Sequence, residues 1–269
     1  MNFIQAIILG VVQGITEFLP ISSSGHLIIA RDVLHIQTPS GLAVDAVLQL
    51  ATILAVGLYF WRDILRLIQS AVRMILRKNV FVEDAVWVKG IIIGTIPAAI
   101  LGLLLEKYMD TVFRSALLVA VTFIVGAVVM LCAEKYAAAQ KSGLTVKKSL
   151  YIGLFQVLAL VPGMSRSGMT ISGGLCNGLS REEAARFSFL LSFPIILASG
   201  LKKMLDLYQA QELGSVGMSL ALGFAVAFIV GMLCIHLLIK YLKNHSLKIF
   251  AWYRIVVAVV VIGAVIFFK

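Results

Sequence analysis

The sequence predicts an all-α integral membrane protein with six transmembrane helices and two re-entrant helical hairpins, arranged as an inverted-topology repeat. Three observations carry that expectation. Of 269 residues, 61% are hydrophobic and only 13% are charged, whereas a soluble domain of this length carries about a quarter charged residues. Six apolar segments, roughly 41–61, 87–106, 114–133, 187–205, 217–239 and 249–268, each approach the ~20 residues that cross a bilayer as a helix. Two further apolar regions, 2–34 and 150–179, are broken by short polar runs that repeat one another.

The repeat has a fixed offset of 143 residues. Gln13 precedes Ser22-Ser23-Ser24-Gly25 by the same spacing that separates Gln156 from Ser165-Arg166-Ser167-Gly168. Gly10 matches Gly153, Ile28 matches Ile171, and Ile53-Leu54-Ala55 matches Ile196-Leu197-Ala198 at that offset. From Gly10 to Asp63, 13 of the 54 pairs are identical, where so apolar a composition gives roughly four by chance. The repeat units run over about 1–78 and 149–216 of a single membrane domain.

Neither broken region reads as a simple span. Glu17-Phe18-Leu19-Pro20 and the serines interrupt the first; Pro162-Gly163 and Ser165-Arg166-Ser167-Gly168 interrupt the second. Each half is shorter than a bilayer, so each region is expected to be a pair of half-helices. Non-helical backbone at that depth is tolerated only when buried in protein or lining a wet cavity. Three complete spans, an odd number, separate the two copies, so the repeat inverts and the two polar tips meet near the midplane.

Charge orients the chain. Apart from Arg166, sixteen basic residues fall on one side, among them Arg62, Arg66, Arg73, Arg77, Lys78, Lys147, Lys148, Arg186, Lys243 and a span-end Arg254. Six fall on the other: Arg31, Lys107, Arg114, Lys202, Lys203 and Lys269. The richer side is expected in the cytoplasm. The N-terminal hairpin then enters from outside, and its site faces outward. No basic cluster is interleaved with aromatics, so the net charge of +10 argues for membrane topology and against a nucleic-acid partner. Cys132, Cys176 and Cys234 are widely spaced in apolar runs and fit neither a disulfide nor a metal pattern. The first apolar stretch lacks the basic leader and cleavage site of a removable signal. Residues 63–78 alternate apolar and basic side chains at helical spacing; an amphipathic helix lying on anionic headgroups and an ordinary basic loop helix fit that pattern equally.

The tips carry the chemistry. Each places Ser-x-Ser-Gly before an apolar half-helix, the composition of a helix N-cap. Two half-helix N-termini facing one cavity make an anion site, with Ser22, Ser24, Gly25, Ser165, Ser167, Gly168 and Thr170 as candidate phosphate-binding residues. Arg166 adds a planar guanidinium suited to phosphate oxygens. Its cost at membrane depth, about 3 kcal/mol, argues for a working role over a structural one. Glu17 shares a helix face with Gln13, and His26 directly follows Gly25. A carboxylate, an imidazole, hydroxyls and an Arg suffice for phosphoryl hydrolysis, with the carboxylate able to hold a divalent cation.

These motifs resemble a known family. Gln13-Gly14-Ile15-Thr16-Glu17-Phe18-Leu19-Pro20-Ile21-Ser22-Ser23-Ser24-Gly25-His26 is similar to the first signature of bacterial undecaprenyl-diphosphatases, the family linked to bacitracin resistance. Pro162-Gly163-Met164-Ser165-Arg166-Ser167-Gly168-Met169-Thr170 is similar to the second. The resemblance covers the whole chain. It implies hydrolysis of undecaprenyl diphosphate to undecaprenyl phosphate in a bacterial cell membrane, which recycles the carrier of peptidoglycan synthesis. It also implies a divalent cation, magnesium or calcium, held at Glu17 and Gln13; many members carry Glu where this chain has Gln13. Glu17, Ser23, His26 and Arg166 map to the catalytic positions, with Ser23 or a water as nucleophile. Polyprenyl diphosphate and membrane lipids are the implied partners, and a homodimer is compatible with the sequence. The rival expectation is a transporter that flips a polyprenyl phosphate through an inverted-repeat fold.

Overall fold

The computed structural model describes residues 1–36, 41–112, 115–137, 143–209 and 217–267, with the side chains of 41–43, 106–112, 203, 206 and 207 outside the description. Arg114, Lys141 and Lys269, which enter the charge count, lie outside it, as do the side chains of Lys107 and Lys203. The described elements are all helical: α1 (Phe3–Phe18), α2 (Ser23–Val33), α3 (Gly41–Tyr59), α4 (Trp61–Ile75), α5 (Val82–Val112), α6 (Ala116–Tyr136), α7 (Val146–Leu158), α8 (Arg166–Cys176), α9 (Arg181–Gln209), α10 (Gly217–Leu242) and α11 (Lys248–Phe267). This is an all-α integral membrane protein.

Both broken regions are helix–break–helix hairpins. Helix α1 starts on a capping box in which Asn2 Oδ1 accepts from the Gln5 amide at 2.8 Å. It stops because Leu19 precedes Pro20 and is forced extended, at ψ 138°. Helix α7 starts on Thr145, whose Oγ1 accepts from the Lys148 amide, and the chain then turns through Pro162-Gly163. Gly163 sits at φ +93°, where a Cβ would lie 1.8 Å from Thr122 Oγ1, so only glycine fits. The chain enters α2 through Ser22 at φ 77°, ψ 102°, and enters α8 through Ser165 at φ 72°, ψ 112°. These serines are 143 residues apart and share a backbone conformation that costs an L residue about 1–3 kcal/mol.

Among the described residues, five helices are long and apolar enough to cross a membrane: those covering Val82–Leu105, Ala116–Tyr136, Arg181–Lys202, Gly217–Leu242 and Lys248–Phe267. The sixth expected segment, 41–61, counts over Val44–Tyr59 and is long enough only with its continuation, α4, into which α3 turns by 80° at Phe60. The bend explains the pattern of 63–78. Trp61, Leu65, Ile68, Val72 and Ile75 form one stripe that stays exposed along α4. Arg66 and Ser70, off that stripe, reach the buried carboxylate of Asp84. A helix turned across the bundle with an unburied apolar stripe and flanking arginines has the form of an interfacial helix.

Packing sets the tips. Helix α1 lies along α10 and α7 along α5, while α3 packs on α9 and α6 on α11. The first two pairs approach so closely that a Cβ on Gly10 would sit 2.5 Å from the Gly223 carbonyl oxygen, and one on Gly153 would sit 2.4 Å from that of Gly94. Small residues permit such approach where no hydrophobic drive separates helix from lipid. One end of the bundle is stitched by ion pairs: Arg181 on Glu134, Arg186 on Asp63 and Lys243 on Glu182. Glu134 also accepts from the Leu247 amide at 2.7 Å, which ties α6, α9 and the start of α11 together.

Gly10→Val or Gly153→Val should therefore part a helix pair and lower stability by about 1–3 kcal/mol, read as a fall in melting temperature in detergent. Gly263→Val, whose Cβ meets nothing within 4 Å, should leave it unchanged. Equal melting temperatures for all three variants would remove these contacts from the account of packing.

Candidate functional site

The two tips meet around Glu17. This carboxylate stands in the last turn of α1, 7% exposed. Its Oε1 accepts from Arg166 Nη2 at 2.9 Å, across 149 residues of sequence. Its Oε2 accepts from Ser23 Oγ at 2.6 Å and from Gln13 Nε2 at 3.1 Å. Gln13 sits one turn before Glu17 on the same face, and its Nε2 also reaches Thr52 Oγ1 on α3 at 3.3 Å. One carboxylate thus gathers a hydroxyl, an amide and a guanidinium from three helices.

Arg166 is the first residue of α8. Its side chain is 15% exposed, and its Nη1 donates to the Ser188 carbonyl at 3.4 Å. Its buried Nε has no partner. A buried N–H left unmade costs about 1–3 kcal/mol, a cost that an oxygen reaching this donor would recover. Helix α2 has no side-chain cap, and its first-turn amides, at Ser23, Ser24 and Gly25, add to the same supply of donors.

The remaining expected residues divide. Ser22 Oγ and Ser24 Oγ lie 3.3 Å apart, as do Ser165 Oγ and Ser167 Oγ, the same contact in both tips. Ser165 Oγ accepts from the Gly168 amide at 3.1 Å and so caps α8. Ser167 Oγ donates to the Leu19 carbonyl at 3.3 Å, bracing one tip on the other. Thr170 Oγ1 is fully buried, 2.8 Å from the Arg166 carbonyl and 2.6 Å from Ser188 Oγ. His26 faces away from Glu17. Its ring stacks between Phe123 and Tyr253, with Nδ1 2.8 Å from the Ser22 carbonyl and Nε2 3.0 Å from Tyr253 Oη. A carbonyl can only accept, so Nδ1 carries the proton and Tyr253 donates to Nε2.

Sequence reasoning missed four residues here. Thr52 and Ser188 are ordinary hydroxyls inside apolar spans, without a local signal. Tyr253 reads as an interfacial aromatic. Arg254 stands inside the apolar run 249–268, where a charge is itself a signal; it was expected at a span end on the basic side, yet it is fully buried among the tips. Gln156, the repeat partner of Gln13, is buried with neither amide atom partnered. Its neighbour one turn on is Leu160, where the first copy has Glu17.

A candidate cation site has oxygen donors only. Among the described residues no group of three or more His, Cys, Asp or Glu is assembled. Glu17 and the Gln13 side-chain carbonyl remain, a hard-oxygen set that suits magnesium or calcium if substrate oxygens complete it.

Two broken helices with a buried carboxylate and guanidinium between them define a multi-pass membrane protein built around an ion pair that joins two chain breaks. The family described as "Bacitracin resistance protein BacA" matches residues 6–260, and the chain belongs to it. It is 41% identical to the undecaprenyl-diphosphatase of Methanosphaera stadtmanae, over 97% of this chain and 98% of that protein. It is 43% identical to that of Micrococcus luteus, over 99% and 96%, and 40% identical to that of Pelotomaculum thermopropionicum, over 98% of both.

Proposed function

We propose that this protein hydrolyses undecaprenyl diphosphate to undecaprenyl phosphate and inorganic phosphate, which regenerates the lipid carrier of cell-wall synthesis and confers resistance to bacitracin. The relatives supply the substrate, since proteins at about 40% identity over nearly the whole chain carry that activity in their names. The observation that carries the chemistry is the Glu17 carboxylate with Ser23 Oγ on one oxygen and Arg166 on the other.

In this reading Ser23 Oγ attacks the terminal phosphorus and passes its proton to Glu17 as the new O–P bond forms. The bridging P–O bond breaks, and its electron pair leaves on undecaprenyl phosphate. Arg166, through its unpartnered Nε–H, and the open amides of α2 hold the charge on the transferred group. Water then attacks the phosphoserine; its oxygen joins phosphorus, a proton returns to Ser23, phosphate departs and Glu17 releases its proton to solvent. Glu17 and Gln13 would hold a magnesium or calcium ion with the diphosphate, and that ion would neutralise phosphate charge. His26, fixed by Tyr253, keeps the Ser22 backbone in the turn that presents Ser23. Lipid transfer across the membrane needs anion binding alone, and the Ser23–Glu17 contact is surplus to it. The two hairpins form inverted units of one domain, the N-terminal tip opens to the outside of the cell membrane, and the isoprenoid tail lies between helices.

Purified protein in detergent, given undecaprenyl diphosphate, should release phosphate. Arg166→Lys and Glu17→Gln should each lose about 100-fold or more in turnover, and Ser23→Ala should fall to a comparable level. Ser23→Ala turning over at a rate near that of the parent would replace the serine by a direct water attack. Failure of the parent protein to release any phosphate would leave the transporter reading.

Gln13→Glu should keep turnover and lower the magnesium concentration needed for half-activation, because it adds a carboxylate beside Glu17. An unchanged magnesium titration would take Gln13 out of the cation site.

Orientation is tested with single cysteines in a chain lacking Cys132, Cys176 and Cys234. Thr38→Cys, at a position outside the described residues, should react with an impermeant thiol reagent in intact cells, and Arg73→Cys should react only after lysis. The reverse pattern would turn the site toward the cytoplasm.

A further inference from the structure

Arg254 is the largest fully buried side chain among the described residues, and the proposed chemistry does not use it. Each nitrogen of its guanidinium donates to main-chain carbonyls, and Nη1 also lies 3.7 Å from Met130 Sδ. Nε donates to Phe123 O at 3.2 Å. Nη1 donates to Met164 O at 2.9 Å and Pro20 O at 3.5 Å. Nη2 donates to Gly163 O at 2.7 Å and Thr122 O at 3.2 Å. No ion pair to a carboxylate is formed by it among the described residues.

The five carbonyls come from three places: the break after α1, the break before α8, and the middle of α6. These breaks are where the chain leaves the helical ladder, and backbone groups released inside a membrane bundle need partners other than the helix. One planar cation therefore satisfies carbonyls of both breaks and fixes them to the same point of α6. Lysine has three donors and no fork, and cannot span this set. Thr122 Oγ1 adds a parallel brace, donating to Pro162 O at 2.8 Å. The fit is tight on the α6 side, since a Cβ on Gly126 would lie 2.1 Å from Arg254 Nη2.

We infer that Arg254 is a positioning residue that registers the two tips against one another, so that Arg166 from one tip meets Glu17 and Ser23 from the other. It touches none of these three residues and acts through the backbone of Pro20, Gly163 and Met164. The kinetic consequence rests on the proposed hydrolysis: a shift of about 1 Å between the tips can cost about 100-fold in turnover. The isoprenoid tail binds elsewhere, so substrate affinity should not follow.

The test uses Arg254→Lys and Gly126→Ala, the second displacing the guanidinium without deleting it. Each is purified in detergent and assayed with undecaprenyl diphosphate well below its own melting temperature. Both should lose about 100-fold in kcat while KM stays close to that of the parent. A second arm does not depend on hydrolysis. Leu19→Cys with Ser167→Cys, in a chain lacking the native cysteines, should form an oxidative cross-link between the tips when Arg254 is present and lose it when Arg254→Met is added. Arg254→Lys with parental kcat, or a cross-link indifferent to Arg254→Met, overturns the inference. So does a kcat loss that disappears once each variant is assayed at matched distance from its melting temperature. A parent chain that cross-links in an Arg254-dependent way but never hydrolyses refutes the proposed function and leaves the clamp standing.

Discussion

The rest of the structure depends on one contact between two broken helices, the ion pair of Glu17 with Arg166. Each partner alone would be a buried charge in a medium that solvates charges poorly, and breaking such a pair by deleting one side costs about 3–5 kcal/mol. The pair also fixes geography. Glu17 lies in the last turn of α1 and Arg166 begins α8, so their bond holds the end of one helix and the start of the other at the same place in the bundle. The pair is nevertheless incomplete as a structural device, because Arg166 keeps an unpartnered Nε–H. A purely structural pair would be better served by a neutral, packed side chain of the same volume. An incomplete one leaves donors for a ligand that competes with Glu17 for the guanidinium.

Holding two chain breaks in that position raises a second demand. Ser22 and Ser165 both adopt positive φ, and the carbonyls around them lie outside any helix. The protein meets this demand with side-chain donors: Ser167 for Leu19, Thr122 for Pro162, and Arg254 for Pro20, Gly163 and Met164. Strain at the tips and over-determination around them go together, as expected where a conformation is kept for function.

Much of this could be read from the sequence because membrane chains advertise their exceptions. Glu17, Arg166 and the serine runs stood out against apolar surroundings, and the offset of 143 residues joined them before any fold was known. The shared φ and ψ of Ser22 and Ser165 are the structural counterpart of that offset. Other features left no comparable mark. The 80° turn between α3 and α4 occurs at Phe60, with no proline there to announce it, so a span over 41–61 and a helix over 63–78 were legible while the angle between them was not. Thr52 and Ser188 are single hydroxyls in helices that reach the site only through packing. Arg254 was visible as a charge but was placed by its position near the start of an apolar run. Its actual depth follows from how α11 packs on α6, which no local pattern encodes. His26 follows the serine run directly, yet its ring goes into the stack with Phe123 and Tyr253, two residues far away in sequence.

The repeat supplies two similar tips, and the site arises where they stop being similar. Ser22 with Ser165, Ser24 with Ser167 and Gly25 with Gly168 are retained, and these are the residues that build the turn and start the half-helix. The differences fall at the reacting positions. Glu17 faces Leu160 in the alignment of the two copies, Ser23 faces Arg166, and His26 faces Met169. A symmetric pair of tips would bring two carboxylates together, or two guanidinium groups, and like charges at this separation oppose each other's ionised forms. Dividing the roles, with acid and hydroxyl on one tip and cation on the other, turns that repulsion into an attraction. The orphaned amide of Gln156 is what the second copy retains of the arrangement it gave up. In its counterpart Gln13 the Nε2 is engaged, because Glu17 is there to receive it.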